Sequence, residues 1–136
     1  RRGDFGALLA AHLKRRNPQA TPEMLQREAD KAMRAPTIIV VAQPSRESGK
    51  IPRIEQALSA GAAAQNILLA AHALGFGAVW KTGSAAYDDD VKSALGLAAE
   101  DAIVGFIYVG THALASPPLV ERPPVADYLI EWRGMA

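Results

Sequence analysis

The feature that most restricts the fold is an alanine-rich segment, Ile54 to Leu74, which has no proline and one internal glycine, Gly61. Gly75 follows it in the position of a C-terminal helix cap, so we predict one helix about 30 Å long. The segment is apolar or small nearly all the way round, which is unusual for a surface helix. We therefore expect a central buried helix, whose small side chains would let a second copy of the same helix approach closely.

A membrane-spanning helix is the first alternative for this segment, because the apolar run approaches the ~20 residues that a span requires. Polar Gln65, Asn66 and His72 lie inside it, and alanine rather than leucine is its main residue. These features favour a helix buried in protein, and we predict no membrane association. We expect a soluble cytoplasmic protein. The chain opens on Arg1 with no initiating methionine and no signal-peptide pattern, which suggests that N-terminal sequence is missing.

Composition excludes several other classes of function. The 136-residue chain has no cysteine, which rules out disulfides, thiolate catalysis and sulfur-ligated metal centres. Its three histidines, His12, His72 and His112, form no metal-binding motif, so we predict no metal site. A net charge of +1 argues against nucleic-acid binding. The basic run Lys14 to Arg16 is interpreted as a helix end, where cations complement the last carbonyls.

The rest of the chain alternates helical and extended patterns. Apolar residues at helical spacing predict a helix from Asp4 to about Arg16, and Thr21-Pro22-Glu23 is typical of the start of a second helix. The β-branched run Thr37 to Ala42 predicts a strand buried on both faces, and hence helices on both sides of its sheet. The order of these elements indicates one domain that mixes helices and sheet.

Two further elements follow the long helix. Asp88 to Asp90 place acids at the start of a short helix, Val91 to Leu95, which Gly96 closes. Ile103 to Gly110 is a second strong strand, and its internal glycine, Gly105, marks a bulge or a close backbone approach. The tail beyond it carries two Pro-Pro pairs and is expected to lie along another surface rather than fold on itself.

Three stretches, in this order, together resemble a known family. They are Arg34-Ala35-Pro36 running into the first strand, the segment Gly75 to Gly83 after the alanine-rich helix, and the helix from Val91 with its following strand to Gly110. In order and spacing they resemble the FMN-dependent nitroreductase family, and among its members the small, minimal bacterial ones. The likeness covers about Ala32 to Thr111.

The resemblance implies an α+β fold: a mixed, mainly antiparallel sheet flanked by helices on both faces, dimerised through long central helices. It implies FMN as cofactor, NAD(P)H as electron donor, and nitro compounds, quinones or similar small molecules as acceptors, reduced by ping-pong hydride transfer. The flavin would carry the chemistry, while the protein supplies binding, orientation and electrostatics. A non-catalytic homodimeric scaffold of the same fold, with weak or no flavin binding, is the alternative.

The same resemblance points to a cofactor-binding loop of four residues, Trp80, Lys81, Thr82 and Gly83. A lysine there would stabilise the negative charge that gathers near flavin N1 and O2 on reduction, and a glycine lets the backbone come close. The alternative is that Trp80 is a core aromatic at a strand end and the other three residues form a turn. No catalytic residue is predicted.

Other residues have two alternative roles each, and none of them is included in the predicted site. His72 is either a proton donor near the acceptor or a core residue, and Ala70 to Gly75 either lies near the nicotinamide or is plain helix packing. Arg122 or Arg133 in the tail would reach an FMN phosphate only if the tail folds back. The Arg-Arg-Ser type motif that holds this phosphate in relatives is not visible. We therefore expect a single domain, residues 1–136, that lacks about fifty N-terminal residues.

Overall fold

A three-stranded antiparallel sheet forms the centre of the computed structural model, which describes residues 1–46, 50–111 and 120–134. β3 (Ala102–Gly110) lies between β1 (Thr37–Gln43) and β2 (Gly77–Lys81), so the order is β1-β3-β2. Both strands predicted from the sequence are confirmed. The fold is α+β, with helices on both faces of an antiparallel sheet.

One face of the sheet carries the N-terminal helices. α1 (Arg2–Arg16) packs there with α2 (Pro22–Ala29), which a 3₁₀ turn continues to Met33. α2 begins as predicted: the Thr21 hydroxyl accepts a hydrogen bond from the Met24 amide at 3.3 Å, and Pro22 is its first residue. A second 3₁₀ turn, Ser84–Tyr87, and the short α4 (Asp89–Ala94) complete this layer.

The layer holds the larger of two core clusters. Its buried members come from the helices, the second turn and β3: Phe5, Leu9, Ala32, Ala85, Ala86, Val91, Ile103 and Phe106. The rings of Phe5 and Phe106 lie 5.1 Å apart between centroids, in a tilted arrangement. Apolar burial therefore fixes α1 directly above β3.

In the described part of the chain the other face carries only α3 (Arg53–Ala73), a single helix of 21 residues that confirms the predicted long helix. Gly75, at φ +80°, ends it, with its amide bonded to the His72 carbonyl and that of Phe76 to the Ala71 carbonyl. This is a Schellman cap, in which a left-handed glycine satisfies the last carbonyls. Ala64 of α3 and Ile107 of β3 are both fully buried where the helix packs on the sheet.

Burial departs from the prediction in two places. Within the described residues α3 is covered on one side only, since Leu58 and Leu69 on its outer side are 64% and 57% exposed. β1 is an edge strand with Ile39 exposed, so its β-branched run is not buried on both faces. A continuous apolar sequence indicates that a segment tends to be buried. It does not indicate whether residues of the same chain bury it.

Gly105 lies where β3 comes closest to β2's side chains, as its position in the strand predicted. A Cβ on it would stand 2.0 Å from Nε1 of Trp80, and the β1–β3 register shifts opposite it, between Val41 and Ala42. No helix among the described residues is long and apolar enough to cross a membrane. The tail residues 120–134 are exposed throughout, while His112 and the rest of 112–119 lie outside the described residues.

Candidate functional site

The residues predicted to bind a cofactor lie at the end of β2 and in the loop that follows it. Trp80 and Lys81 are the last two residues of the strand, and Thr82 and Gly83 lead into the 3₁₀ turn. Lys81, Thr82 and Gly83 are exposed. Gly83 has φ +71°, a conformation that only glycine adopts without strain, and apart from its chain neighbours no atom of the described residues lies within 4 Å of where its Cβ would be.

The indole of Trp80 packs on the α3 face of the sheet. Its Nε1 donates a hydrogen bond to the Val104 carbonyl at 3.0 Å, and the ring packs over Gly105 beside the cluster of Val41, Ala64 and Ile107. The side chain thus behaves as the core aromatic of the alternative interpretation. Its backbone lies in β2, an edge strand of the described sheet, where it can still contact a ligand.

A cavity of about 710 Å³ runs along β2 on the face that carries α1. This volume lies within the range of small-molecule and cofactor sites. The apolar part of its wall is formed by Phe5, Leu9 and Phe106, and all four predicted residues also contribute to the wall. The structure thus brings the predicted loop together with α1 and β3, although these elements are far apart in sequence.

The charged groups around the cavity are mainly positive. Lys31, Arg34 and Lys81 contribute three cations, and Glu28 one carboxylate. Glu28 is already paired with Lys31, at 2.6 Å between Oε2 and Nζ, which leaves Arg34 and Lys81 as the wall cations without an ion-pair partner among the described residues. The cavity is therefore suited to an anionic ligand that also has an apolar part.

Tyr108 supplies a phenol to the same wall. Burial raises its pKa above the ordinary value, and nearby Glu28 acts in the same direction, while Arg34 opposes it. The hydroxyl consequently stays protonated at neutral pH and can donate a hydrogen bond to a bound molecule.

A polar cluster that the sequence did not predict borders the cavity. His12 of α1 is 5% exposed, and its Nε2 lies 2.9 Å from Oγ of Ser84, which lines the cavity. Its Nδ1 lies 2.8 Å from Oδ2 of Asp88, the N-cap of α4. His12 and Ser84 are separated by 72 residues, so no local motif could have revealed the contact.

Asp88 is held from several directions. Its Oδ1 accepts hydrogen bonds from Arg15 at 2.6 Å and from the Val91 amide at 2.9 Å, which leaves Oδ2 to His12. Burial of the carboxyl opposes ionisation, but the hydrogen bonds from Arg15, His12 and Val91 outweigh it and lower the pKa of Asp88 to about 2. Asp88 is therefore a carboxylate at neutral pH.

Other residues weighed from the sequence lie away from this cavity. His72 is exposed on α3, which excludes the core interpretation within this chain, and it does not line the cavity. Arg122 and Arg133 are exposed in the tail, where Arg133 pairs with Glu131 at 3.1 Å. None of Ala70 to Gly75 contributes to the wall.

Comparison with known proteins supplies the family. Residues 5–111 match the model of the Nitroreductase family. The Putative NAD(P)H nitroreductase YdjA of Escherichia coli (strain K12) is 38% identical over 96 residues, which cover 71% of this chain and 52% of that protein. The chain thus spans about half the length of this curated relative.

Solved structures agree with the sequence match. A nitroreductase-like family protein from Bacillus cereus shares the fold, with a TM-score of 0.72 and 23% identity over 98% of this chain and 67% of its own. A putative nitroreductase from Desulfovibrio desulfuricans, solved in complex with FMN, gives a TM-score of 0.61 and 31% identity over 96% of this chain and 64% of its own. The chain belongs to the nitroreductase family.

Proposed function

We propose that this chain forms part of an FMN-dependent oxidoreductase that takes electrons from NAD(P)H and reduces nitro compounds, quinones or similar small acceptors. The observation that carries the proposal is the cationic cavity along β2, whose wall includes Lys81, Thr82 and Gly83. Family membership and the FMN complex of one structural relative support it. When bound, the flavin would accept hydride from the nicotinamide and pass it to the acceptor.

The wall of the cavity offers groups that match a flavin. Within the described part of the chain β2 pairs only with β3, so the outer backbone groups of the strand have no strand partner and face ligand or solvent. Such amides and carbonyls, with the Thr82 hydroxyl, complement the polar edge of an isoalloxazine ring. Gly83 leaves the open space that a close backbone approach requires.

Lys81 is the residue expected to respond to reduction. Its ammonium at the end of β2 would stabilise the negative charge that a reduced flavin carries. Arg34, on the same wall, would attract the anionic part of the cofactor. Apolar Phe5 and Phe106 would exclude water from one side of the bound ring.

Flavin binding tests the proposal directly. Titration of FMN fluorescence against the purified chain should show saturable quenching, and NADPH should then bleach the visible absorption of the flavin. Lys81→Gln should weaken FMN binding by about tenfold to a hundredfold, since one charge-assisted hydrogen bond is lost. Arg16→Gln removes an exposed cation outside the cavity wall and serves as the matched control. A chain that never quenches FMN would instead favour the non-catalytic scaffold.

A homodimer built on α3 is part of the proposal. Ile54, Leu58 and Leu69 share the outer side of the helix and are more than half exposed in the single chain. The small residue Ala62 lies among them, which would allow two such helices to approach closely. Exposed apolar surface of this kind marks an association site.

Sedimentation of the parent chain and of Leu58→Glu tests the dimer. The parent should sediment as a dimer, and the variant as a folded monomer, because a carboxylate would be buried unpaired at the contact. Glu55→Gln, an exposed change in the first turn of the same helix, is the control and should leave the dimer intact. A parent that stays monomeric at high concentration would contradict this part of the proposal.

A further inference from the structure

His12 is the one buried polar side chain among the described residues, and the proposed reduction of a small acceptor gives it no role. Its two ring nitrogens are both occupied, one by Ser84 and the other by Asp88. The result is a continuous chain of hydrogen bonds from a carboxylate, through an imidazole, to a hydroxyl. This carboxylate–imidazole–hydroxyl series resembles the arrangement that activates serine in acyl-transfer enzymes.

The partners of Asp88 fix the direction of these hydrogen bonds. An ionised carboxylate can only accept, so in the neutral imidazole Nδ1 carries the hydrogen and Nε2 keeps its lone pair. Nε2 then accepts the hydrogen of the Ser84 hydroxyl, and the distance of 2.9 Å fits such a bond. The basic nitrogen therefore points at the only proton that Ser84 can give.

Ser84 differs from its two partners in being exposed, and it lines the cavity. The hydroxyl can meet a bound molecule while the imidazole stays beneath it, shielded from water. Lys81 and Thr82 line the same cavity and offer a cation and a hydroxyl to a developing negative charge. The same positive wall favours substrates that are themselves anionic.

We propose that Ser84 is a nucleophile, with His12 as its general base and Asp88 orienting the imidazole, and that it cleaves small carboxylic esters carrying a negative charge. The Ser84 oxygen bonds to the ester carbonyl carbon while its proton moves to Nε2 of His12. The ester C–O bond then breaks, and His12 returns the proton to the departing alcohol. Water hydrolyses the acyl-serine by the reverse sequence of proton transfers, which releases the acid.

This activity goes beyond the proposed oxidoreductase and needs no flavin, so each can fail without the other. The first test incubates the purified chain with diisopropyl fluorophosphate, which forms an oxygen–phosphorus bond to an activated serine and releases fluoride with the proton. Intact mass and peptide mapping should show one adduct, on Ser84. Ser84→Ala should abolish it, and His12→Gln should slow it at least about a hundredfold, the contribution of a general base.

Two outcomes of this test would overturn the proposal. One is the absence of any adduct on Ser84, including the case in which another serine is modified instead. The other is an unchanged rate in a folded His12→Gln protein, which would leave the hydrogen-bond chain a purely structural link between α1 and α4. In that case the variant would lose stability without any change in chemistry at Ser84.

A thiol version covers the case in which His12→Gln does not fold. The sequence has no cysteine, so Ser84→Cys introduces a single thiol, and Ser93→Cys places a matched one on the exposed side of α4. At pH 7 the Ser84→Cys thiol should react with iodoacetamide about tenfold faster or more, since a neighbouring imidazole promotes the thiolate. Asp88→Asn in the Ser84→Cys background should remove much of this advantage. Equal rates at the two thiols would refute activation by His12.

Discussion

The two faces of the sheet are closed in different ways. On the α1 face, short elements that are distant in sequence meet around Phe106, and they enclose a cavity and a buried histidine. On the α3 face, one alanine-rich helix lies directly on Ile107 and the indole of Trp80. The adjacent β3 residues Phe106 and Ile107 therefore lie in different clusters, one on each face of the sheet.

This difference gives the two faces different uses: the α1 face can hold a ligand, and the α3 face provides packing. Several short elements bring polar groups from distant positions to one place, and their imperfect fit leaves room for a ligand. A single helix with small side chains can come close to the sheet, but its second side is left uncovered by the residues that the structure describes. We infer that ligands use the first face and association uses the second.

The largest predicted effect tests the core beneath α3. Ile107→Ala should lower the free energy of unfolding by about 2–5 kcal/mol, because Ile107 is fully buried and the helix above it cannot collapse into the space. Urea denaturation followed by circular dichroism would measure the change. Ile39→Ala on the edge strand, where the side chain is 37% exposed, is the matched control and should cost clearly less. Equal losses would mean that the α3 face has no distinct core.

A smaller effect is expected where the sheet touches Trp80. Gly105→Ala would place a Cβ 2.0 Å from the indole nitrogen, so the ring must move and its hydrogen bond to Val104 must break. We expect a loss of about 1–3 kcal/mol, as in other overpacked cores. Gly3→Ala is the control, since a Cβ there meets nothing within 4 Å and alanine favours a helix. A neutral Gly105→Ala variant would show that this contact is looser than the structure indicates.

Local signals account for most of what the sequence predicted. Thr21 and Pro22 start α2, Gly75 ends α3, and Gly105 marks a close approach, since each effect depends on residues a few positions apart or on one backbone conformation. Exposure was predicted poorly. Whether Ile39 or the outer side of α3 is covered depends on which segments meet in space, and apolar sequence alone cannot report that.

The candidate site also has one part that the sequence predicted and one part that it did not. The loop from Trp80 to Gly83 was found by its likeness to a family, and its contacts with a cofactor remain a prediction. The contact of His12 with Ser84 and Asp88 joins residues more than seventy positions apart and had no sequence signal. The basic run at the end of α1 was predicted to complement helix carbonyls. Lys14 instead donates a hydrogen bond to the Pro18 carbonyl, beyond the end of the helix, at 2.8 Å, and Arg15 pairs with Asp88 and Asp90.

The smallest predicted effect tests the polar link that helps to close the α1 face. The pKa of Asp88, about 2 in the folded chain, lies below its ordinary value of 3.8, so the carboxylate adds stability above pH 3.8. That contribution is lost as the pH falls from 3.8 through about 2. Asp88→Asn should therefore lower the free energy of unfolding at pH 7 by about 1–2 kcal/mol, a value reduced for solvent screening because Arg15 is 42% exposed.

Urea denaturation of the parent and the variant between pH 2 and pH 7 would measure the difference, which should shrink toward the acid end. Asp89→Asn is the matched control: this neighbouring carboxylate is 73% exposed and pairs with Lys92 at 3.3 Å, so its loss should change stability by less than about 0.5 kcal/mol. A deficit in Asp88→Asn that persisted unchanged at pH 2 would have to arise from the cap of α4 rather than from charge. The α1 face would then be closed by apolar packing alone, and the contrast between the two faces would lie only in their shape.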